Sequence, residues 1–507
     1  MQQGHFGKAL AVVRERIPFP LVCGYACFHP CEAKCGRNQF DAPVAIRMLK
    51  RVAAERRVKE PIAPKALAAT GRKVAIIGSG PCGLTAAYFL ALKGHDVTVF
   101  EALDRSGGML RFGIPEYRLP DAIVDADIHF IEQCGVKIRT STRVESAEAL
   151  LQLSFDAVFI ASGAWRSARM GIPGEDTAQV VDGLTFLKQV NAGAAPKLGA
   201  RVVVVGGGNT AIDAARVSRR LGAEVIQLYR RTRAQMPAAA EEIAAAIEEG
   251  VKIEYLRSPV RVDSGVVTCM RMELGPADAS GRARPVPILG SEFTISADTA
   301  IMAIGQEVEV PATSIARSGS GTVLVDDGTL ATSVNGIFAG GDAVAGPASI
   351  IAAIGQGRRA GSAIDRFLGG DGAIDRLAHE KAPAALPQTL PRGTPRNEFQ
   401  TISLKKRLEG FGLIEKAYDV RTAKHEAGRC LSCDLREFAV EVNPVVCKDC
   451  GYCREVCGLE VFGRSDQFNA GGYRPAVVER AERCIGCLRC LYICPDFAIT
   501  ITDRLGQ

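Results

Sequence analysis

The sequence predicts an α/β fold built on two nucleotide-binding units, with a cysteine-rich segment at each end. Three observations predict it. KVAIIGSGPCGLTAAYFLALKGHDVTVFEA, from Lys73, reads as strand, glycine-rich turn, helix and strand. RVVVVGGGNTAIDAARVSRRLGAEVIQLYRR, from Arg201, repeats that order. Of the 17 cysteines, all but Cys82, Cys134 and Cys269 fall into three groups: residues 23–35, Cys430 with Cys433, and residues 447–494.

At 507 residues, about three domains are expected. Hydrophobic residues make up 47% and charged ones 23%, an ordinary soluble balance. The net charge of +6 is spread along the chain and is too mild for nucleic acid, though it suits docking of an acidic partner protein. No apolar run is long enough to span a bilayer. The start, MQQGHFGKALAVVRERIPFP, carries charges among its apolar positions and does not read as an export signal. A cytoplasmic setting is expected, in which clustered cysteines favour metal ligation over disulfides. The three scattered cysteines are expected to be core residues.

In the first unit, Gly78, Gly80 and Gly83 follow the apolar strand VAII, and Pro81 opens the helix. Glycines let the backbone approach a pyrophosphate, and the helix N-terminus supplies N–H donors and partial positive charge. Glu101 ends the next strand, where a carboxylate accepts hydrogen bonds from a ribose. The second unit carries Gly206, Gly208, Asn209 and Thr210 after the strand VVVV, with Asp213 one turn along the helix. Its second strand ends in Tyr229-Arg230-Arg231 rather than a carboxylate. Arginines accept a 2′-phosphate that an acid would repel, which favours NADPH over NADH. A solvated strand end and use of NADH stay open at this point.

Between Cys447 and Cys494, CKDCGYCREVC and CIGCLRCLYICP both read C-x₂-C-x₂-C-x₃-C, the bacterial ferredoxin run, in which the fourth cysteine ligates the other cluster. Cys447, Cys450, Cys453 and Cys494 are therefore expected on one [4Fe–4S] cluster, and Cys484, Cys487, Cys490 and Cys457 on a second. Zinc sites use four ligands in other pairings. One departure stands out: Pro495 follows Cys494, but Gly458 follows Cys457. Near the N-terminus, CGYACFHPCEAKC spaces Cys23, Cys27, Cys31 and Cys35 evenly. Twelve residues of helix rise about 18 Å, too far for one centre, and Pro30 argues against continuous helix. Either the chain folds back or the thiols serve different centres.

Three further motifs are SGGMLRFGIPEYRLP from Ser106, ASGA from Ala161 and GIFAGGDA from Gly336. With these, over about residues 4–370, the sequence resembles the flavin-dependent glutamate synthase small-subunit family, which includes the pyridine-nucleotide-oxidising half of dihydropyrimidine dehydrogenase. The resemblance implies FAD at the first turn, with Gly108, Met109, Leu110, Arg111, Gly113, Ile114 and Pro115 along the flavin and Arg118 and Gly163 beside it. It implies that Asp342, after Gly341, holds the ribityl chain. It also implies that the helix opening at Ser349 and Ile350 points its N-terminus at the flavin's pyrimidine edge, where negative charge develops. The nicotinamide domain, with Gly305 in its site, would be inserted in the FAD domain.

The same family carries two [4Fe–4S] clusters in an N-terminal helical domain, with ligands from this cysteine stretch and from an upstream R-C-L-x-C. Here EAGRCLSCD, ending at Asp434, is similar to that upstream stretch but lies toward the C-terminus. Cys430 and Cys433 are thus expected to join two of Cys23, Cys27, Cys31 and Cys35 in a third cluster; a vestigial or zinc-binding role for one group stays open.

The expected division is a helical iron–sulfur domain at 1–65, an FAD domain at 72–195 and 322–370, and an NADP(H) domain at 196–321. A linker and helical segment at 371–436 and an α+β bacterial ferredoxin-like domain at 437–507 follow. No C-x-x-C relay lies near the second unit, and no hydrolytic triad or paired carboxylates stand out, so no catalytic side chain is expected. The reading is an oxidoreductase passing electrons between NAD(P)H, FAD and clusters. Its partners would be catalytic subunits of a larger complex of 2-oxoacid, aldehyde or aryl-CoA type. A free-standing NADPH:ferredoxin oxidoreductase and a non-catalytic docking module are the alternatives.

Overall fold

The computed structural model describes residues 1–56, 64, 66–277, 281–311, 314–374, 393–433 and 438–503. The Ala/Pro/Gly-rich linker read from Gly369 lies largely outside them.

The strand Lys73–Ile77 is central in a five-stranded sheet ordered Ile337–Ala339, Ala157–Ile160, Lys73–Ile77, Asp96–Phe100, Lys137–Arg139. Every pairing is parallel. Parallel sheets are covered on both faces, which is why all these strands except the edge strand Lys137–Arg139 carry continuous buried runs rather than alternating ones. The helices Pro81–Leu92 and Ile350–Phe367 pack together. Gly357 permits the approach, since a Cβ there would lie 2.2 Å from the Cys82 carbonyl oxygen.

A second all-parallel sheet is ordered Val180–Asp182, Thr299–Met302, Arg201–Val205, Glu224–Tyr229, Lys252–Tyr255. The chain leaves the first sheet to build this one and returns at Ile337–Ala339, so the second domain is inserted in the first. The expected boundary at 196 needs correction. Val180–Asp182 already pairs with Thr299–Met302, and that pairing joins strands too distant in sequence for local pattern to register it. An antiparallel sheet of Arg257–Asp263, Val266–Ala277, Ala283–Pro287 and Phe293–Ser296 is hung on this domain.

The N-terminal helices Phe6–Arg14, Pro20–Ala26 and Ile46–Glu55 sit against the first domain. Phe19, Val22 and Cys23 share its core, and the Val22 N–H donates to Asp127 at 2.9 Å. The cysteine stretch is not one continuous helix. Cys23 lies in the helix Pro20–Ala26 and Cys31 in the short helix Pro30–Ala33. Between them the chain turns, with Cys27 extended and His29 at φ 40°.

At the other end, Phe438–Val442 pairs antiparallel with Ile499–Asp503, and the short helices Tyr452–Val456 and Arg489–Ile493 pack together beneath. The helix Val420–Gly428 docks on the N-terminal segment: Glu426 accepts from the Ala45 N–H at 2.9 Å, 381 residues away.

Candidate functional site

Each glycine turn is shaped by its sheet. Gly78 has φ +104°, and a Cβ there would lie 2.5 Å from the Ala161 carbonyl oxygen. Gly206 has φ +140°, and its Cβ would lie 2.1 Å from the Ala303 oxygen. Gly80 and Gly208, which cap the helices Pro81–Leu92 and Asn209–Arg220, are different. Their φ values are ordinary, −71° and −85°, and a Cβ on either would meet nothing within 4 Å. The fold therefore does not require glycine at these two positions. Both face one cleft, and a Cβ there would fill the space that a pyrophosphate needs.

That cleft has a volume of about 1060 Å³ and runs between the two domains. Of the residues singled out for the two nucleotides, all but Gly83, Arg111 and Pro115 line it. Gly83 lies behind the turn, where its Cβ would be 2.1 Å from the Gly78 oxygen. Arg111 is buried and turned to Asp121 and Asp125. Pro115 is buried below the surface of the cleft. Glu101 accepts from the backbone N–H groups of Ser79 and Leu103 at 3.0 and 2.9 Å. Asp342 accepts from Ala348 N–H at 3.2 Å, and burial raises its carboxyl above the usual range. The 18-residue helix Ile350–Phe367 begins at the cleft, with Ser349 as its cap.

Two expectations change. Arg118 and Asp213, read as contacts to different cofactors, bind each other at 2.8 and 2.7 Å across the domains. Burial raises the Asp213 carboxyl and the Arg118 guanidinium opposes it. Arg230 and Arg231 also part company. Arg230 is exposed on the cleft, while Arg231 is buried and its Nε donates to the Ala283 carbonyl at 2.8 Å. Sequence reasoning missed Trp165, Lys188 and Arg282, which line the cleft without a motif of their own.

Ala26 and Phe28 also line the cleft, so Cys27 stands beside it. A hydrogen bond with Cys23, helped by Lys50 and His29, pulls the Cys27 thiol down to about 6 against its burial. Lys50 acts on Cys23, Cys27 and Cys31 alike. Cys433 meets the stretch at its other end: a Cβ on Gly36 would lie 3.2 Å from its sulfur and 3.4 Å from Ile485. Arg37 donates to the Arg429 carbonyl, 392 residues away, and Arg429 pairs with Asp41 at 3.1 Å. These contacts bring Cys433 to Gly36, next to Cys35, and hold Arg429, which precedes Cys430, against Arg37 and Asp41.

In the C-terminal segment a small cavity is lined by Cys447, Cys450, Cys453 and Cys494, with Cys494 crossing from the second run. The thiols of Cys457, Cys484 and Cys487 act electrostatically on Cys490, whose own thiol burial pushes up to about 12. Gly458, where a proline would be usual, abuts the N-terminal segment; its Cβ would lie 2.7 Å from Gln39 Nε2. Among the described residues, no three His, Cys, Asp or Glu side chains are grouped so as to hold a single metal ion. No helix among them is long and apolar enough to cross a membrane.

Residues 72–357 match the pyridine nucleotide-disulphide oxidoreductase family. The chain belongs to that family. Residues 1–62 match the dihydropyrimidine dehydrogenase domain II, 4Fe-4S cluster family. The chain is thus an oxidoreductase of FAD, NADP(H) and [4Fe–4S] clusters, and the paired glycine cradles and cysteine groups fit these cofactors. It is 40% identical over 479 residues to the β subunit of NADP(+)-dependent formate dehydrogenase from Moorella thermoacetica, covering 85% of this chain and 68% of that one. It is 41% identical over 412 residues to the NADPH-Fe(3+) oxidoreductase β subunit of Geobacter sulfurreducens, covering 73% of this chain but only 61% of the relative. The Azospirillum brasilense glutamate synthase [NADPH] small chain is 33% identical over 398 residues, covering 72% and 82%. Mycobacterium tuberculosis FprA in complex with NADPH shares the fold, with a TM-score of 0.52 at 19% identity over 59% of this chain and 84% of that one.

Proposed function

We propose that this chain is the nicotinamide-linked subunit of a larger oxidoreductase complex, moving electrons between NADP(H) and a redox-active partner subunit. The observation that carries the reading is one continuous order of sites. Both nucleotide turns open on one cleft, Cys27 stands beside it, and Cys35 with Cys433 comes next. Gly458 and Ile485, next to Cys457 and Cys484, abut Gln39 and Gly36, and Cys447, Cys450, Cys453 and Cys494 line a small cavity of the same segment.

When bound, FAD would supply the exchange between two-electron and one-electron chemistry, and [4Fe–4S] clusters would supply one-electron transfer. The chain's own residues bind and align. Gly78 and Gly80 would receive the FAD pyrophosphate, and Glu101 its ribose. Asp342 and the N-terminus of Ile350–Phe367 would hold the flavin end, the helix stabilising negative charge there. Gly206 and Gly208 would receive the NADP(H) pyrophosphate, with Arg230 on the 2′-phosphate. The Arg118–Asp213 pair would hold the two domains at a set spacing. Cys430 and Cys433 would complete a third cluster with Cys35 and one further thiol of the N-terminal stretch. The partner would be a subunit acting on formate, a 2-oxoacid, an aldehyde or an aryl-CoA ester, in the cytoplasm, where thiolate ligands persist.

Native mass spectrometry of the complex from its source, with iron and flavin counts, tests this. Fixed-stoichiometry copurification with another subunit, one FAD and about twelve irons per chain are expected. A chain that purifies alone and reduces free ferredoxin is the opposing outcome. About eight irons, unchanged in a Cys430→Ser, Cys433→Ser variant, would remove the third cluster.

A further inference from the structure

The second nucleotide turn is overlooked by a side chain from outside its strand–turn–helix unit. Arg282 precedes the strand Ala283–Pro287 of the antiparallel sheet. Its Nη2 donates to the Gln235 carbonyl at 3.0 Å and to the Tyr229 hydroxyl at 3.2 Å. Tyr229 in turn is packed on the turn itself: a Cβ on Gly207 would lie 2.4 Å from its ring. Arg282 is therefore held over the end of the strand Glu224–Tyr229, and it lines the cleft together with Gly208 and Arg230. In a dinucleotide-binding unit, the end of this strand is where the adenosine ribose 2′ position lies.

Arg231, next along the chain, supports this arrangement from behind. Its bond to the Ala283 carbonyl ties down the residue after Arg282. Partial desolvation within the cleft lowers the exposed Arg230 guanidinium below its usual range, and the charges of Arg231 and Arg282 lower it further. Neighbouring cations raise one another's free energy, and an anion joining them relieves that repulsion. A dianion on an exposed ribose, gripped by forked guanidinium donors, has the right charge and shape.

We propose that Arg282 is a specificity-determining residue, closing with Arg230 on the 2′-phosphate of NADP(H) from the antiparallel sheet. This rests on the NADP(H) reading above and extends it to a residue outside the nucleotide-binding motif. The competing role is a purely internal one, in which Arg282 only braces Tyr229 and Gln235.

The test is calorimetric binding of 2′,5′-ADP and of 5′-AMP to the purified holoprotein, alongside dye reduction by NADPH and NADH. In Arg282→Ala, affinity for 2′,5′-ADP is expected to fall on the order of tenfold, since hydrogen bonds to charged groups are the stronger class. Affinity for 5′-AMP stays as in the unsubstituted protein, KM rises for NADPH but not for NADH, and Arg282→Lys recovers part of the loss. Equal weakening of both nucleotides, or no change in either, overturns the proposal and leaves the bracing role. If the unsubstituted protein binds 2′,5′-ADP no tighter than 5′-AMP, the NADP(H) reading fails first, and the proposal with it.

Discussion

The two nucleotide-binding units share a plan and differ at one decisive place. In each, the first residue after the second strand faces the cleft: Glu101 after Asp96–Phe100, and Arg230 after Glu224–Tyr229. Glu101 is buried and already engaged by Ser79 and Leu103. Arg230 is exposed and gathered with other cations. One backbone thus presents an acceptor in one domain and a donor in the other. The units also bury charge differently. The second places Glu249 between Arg216 and Arg220 at 2.7 and 2.8 Å. The first buries Asp127 with one oxygen on the Val22 N–H and the other without a hydrogen-bond partner. Burial alone would raise both carboxyls; the two arginines hold Glu249 below the usual range, whereas Asp127 rises to about 7.

The largest effect should come from breaking the ion network of the second unit. Glu249→Gln removes the carboxylate that the buried Arg220 pairs with, leaves Arg216 with Glu242 alone, and is expected to cost about 3–5 kcal/mol. Thermal melts read this directly, and a shift within a degree of the unsubstituted protein would show the network to be dispensable. Next, Arg230→Glu places the first unit's chemistry in the second. It is expected to raise KM for NADPH on the order of a hundredfold, about 3 kcal/mol, while KM for NADH holds or falls. A parallel rise for both would deny the comparison.

Smaller effects separate glycines that the fold needs from those that a ligand needs. Gly83→Ala drives a Cβ toward the Gly78 carbonyl, and overpacking of this kind costs about 1–3 kcal/mol, with loss of bound flavin. Gly208→Ala meets open space, so melting should hold while nucleotide affinity drops. The smallest effect is the pH term of Asp127. Its folded pKa is raised, so the unfolded chain ionises first. Stability contributed below pH 4 is lost as pH rises to about 7 and is constant above that. Asp127→Asn, which keeps an acceptor for Val22, should flatten that slope in denaturant midpoints taken across the range.

Much of the fold was legible because its signals are local. Both strand–turn–helix units appear in the structure where the pattern located them. The start of the inserted domain was not legible, because Val180–Asp182 is a three-residue edge strand whose identity depends on its partner. Arg118 and Asp213 illustrate the other limit. Each was read as facing a cofactor, and the structure pairs them because domain packing brings opposite buried charges together. Arg282 had no motif because it enters the cleft only through the tertiary packing of the strand that follows it.

Chemistry that depends on short-range spacing was legible along the chain. The glycines of each turn and the runs of cysteines follow from backbone angles and ligand reach over a few residues. How those pieces meet is a matter of tertiary packing. It brought Cys433 to Gly36 and Gly458 to Gln39, and it laid Ala26 and Phe28 on the cleft. Contacts between residues hundreds of positions apart are selected by packing and buried charge. The stretch CGYACFHPCEAKC could therefore show four thiols, while its neighbours were set by the opposite end of the chain.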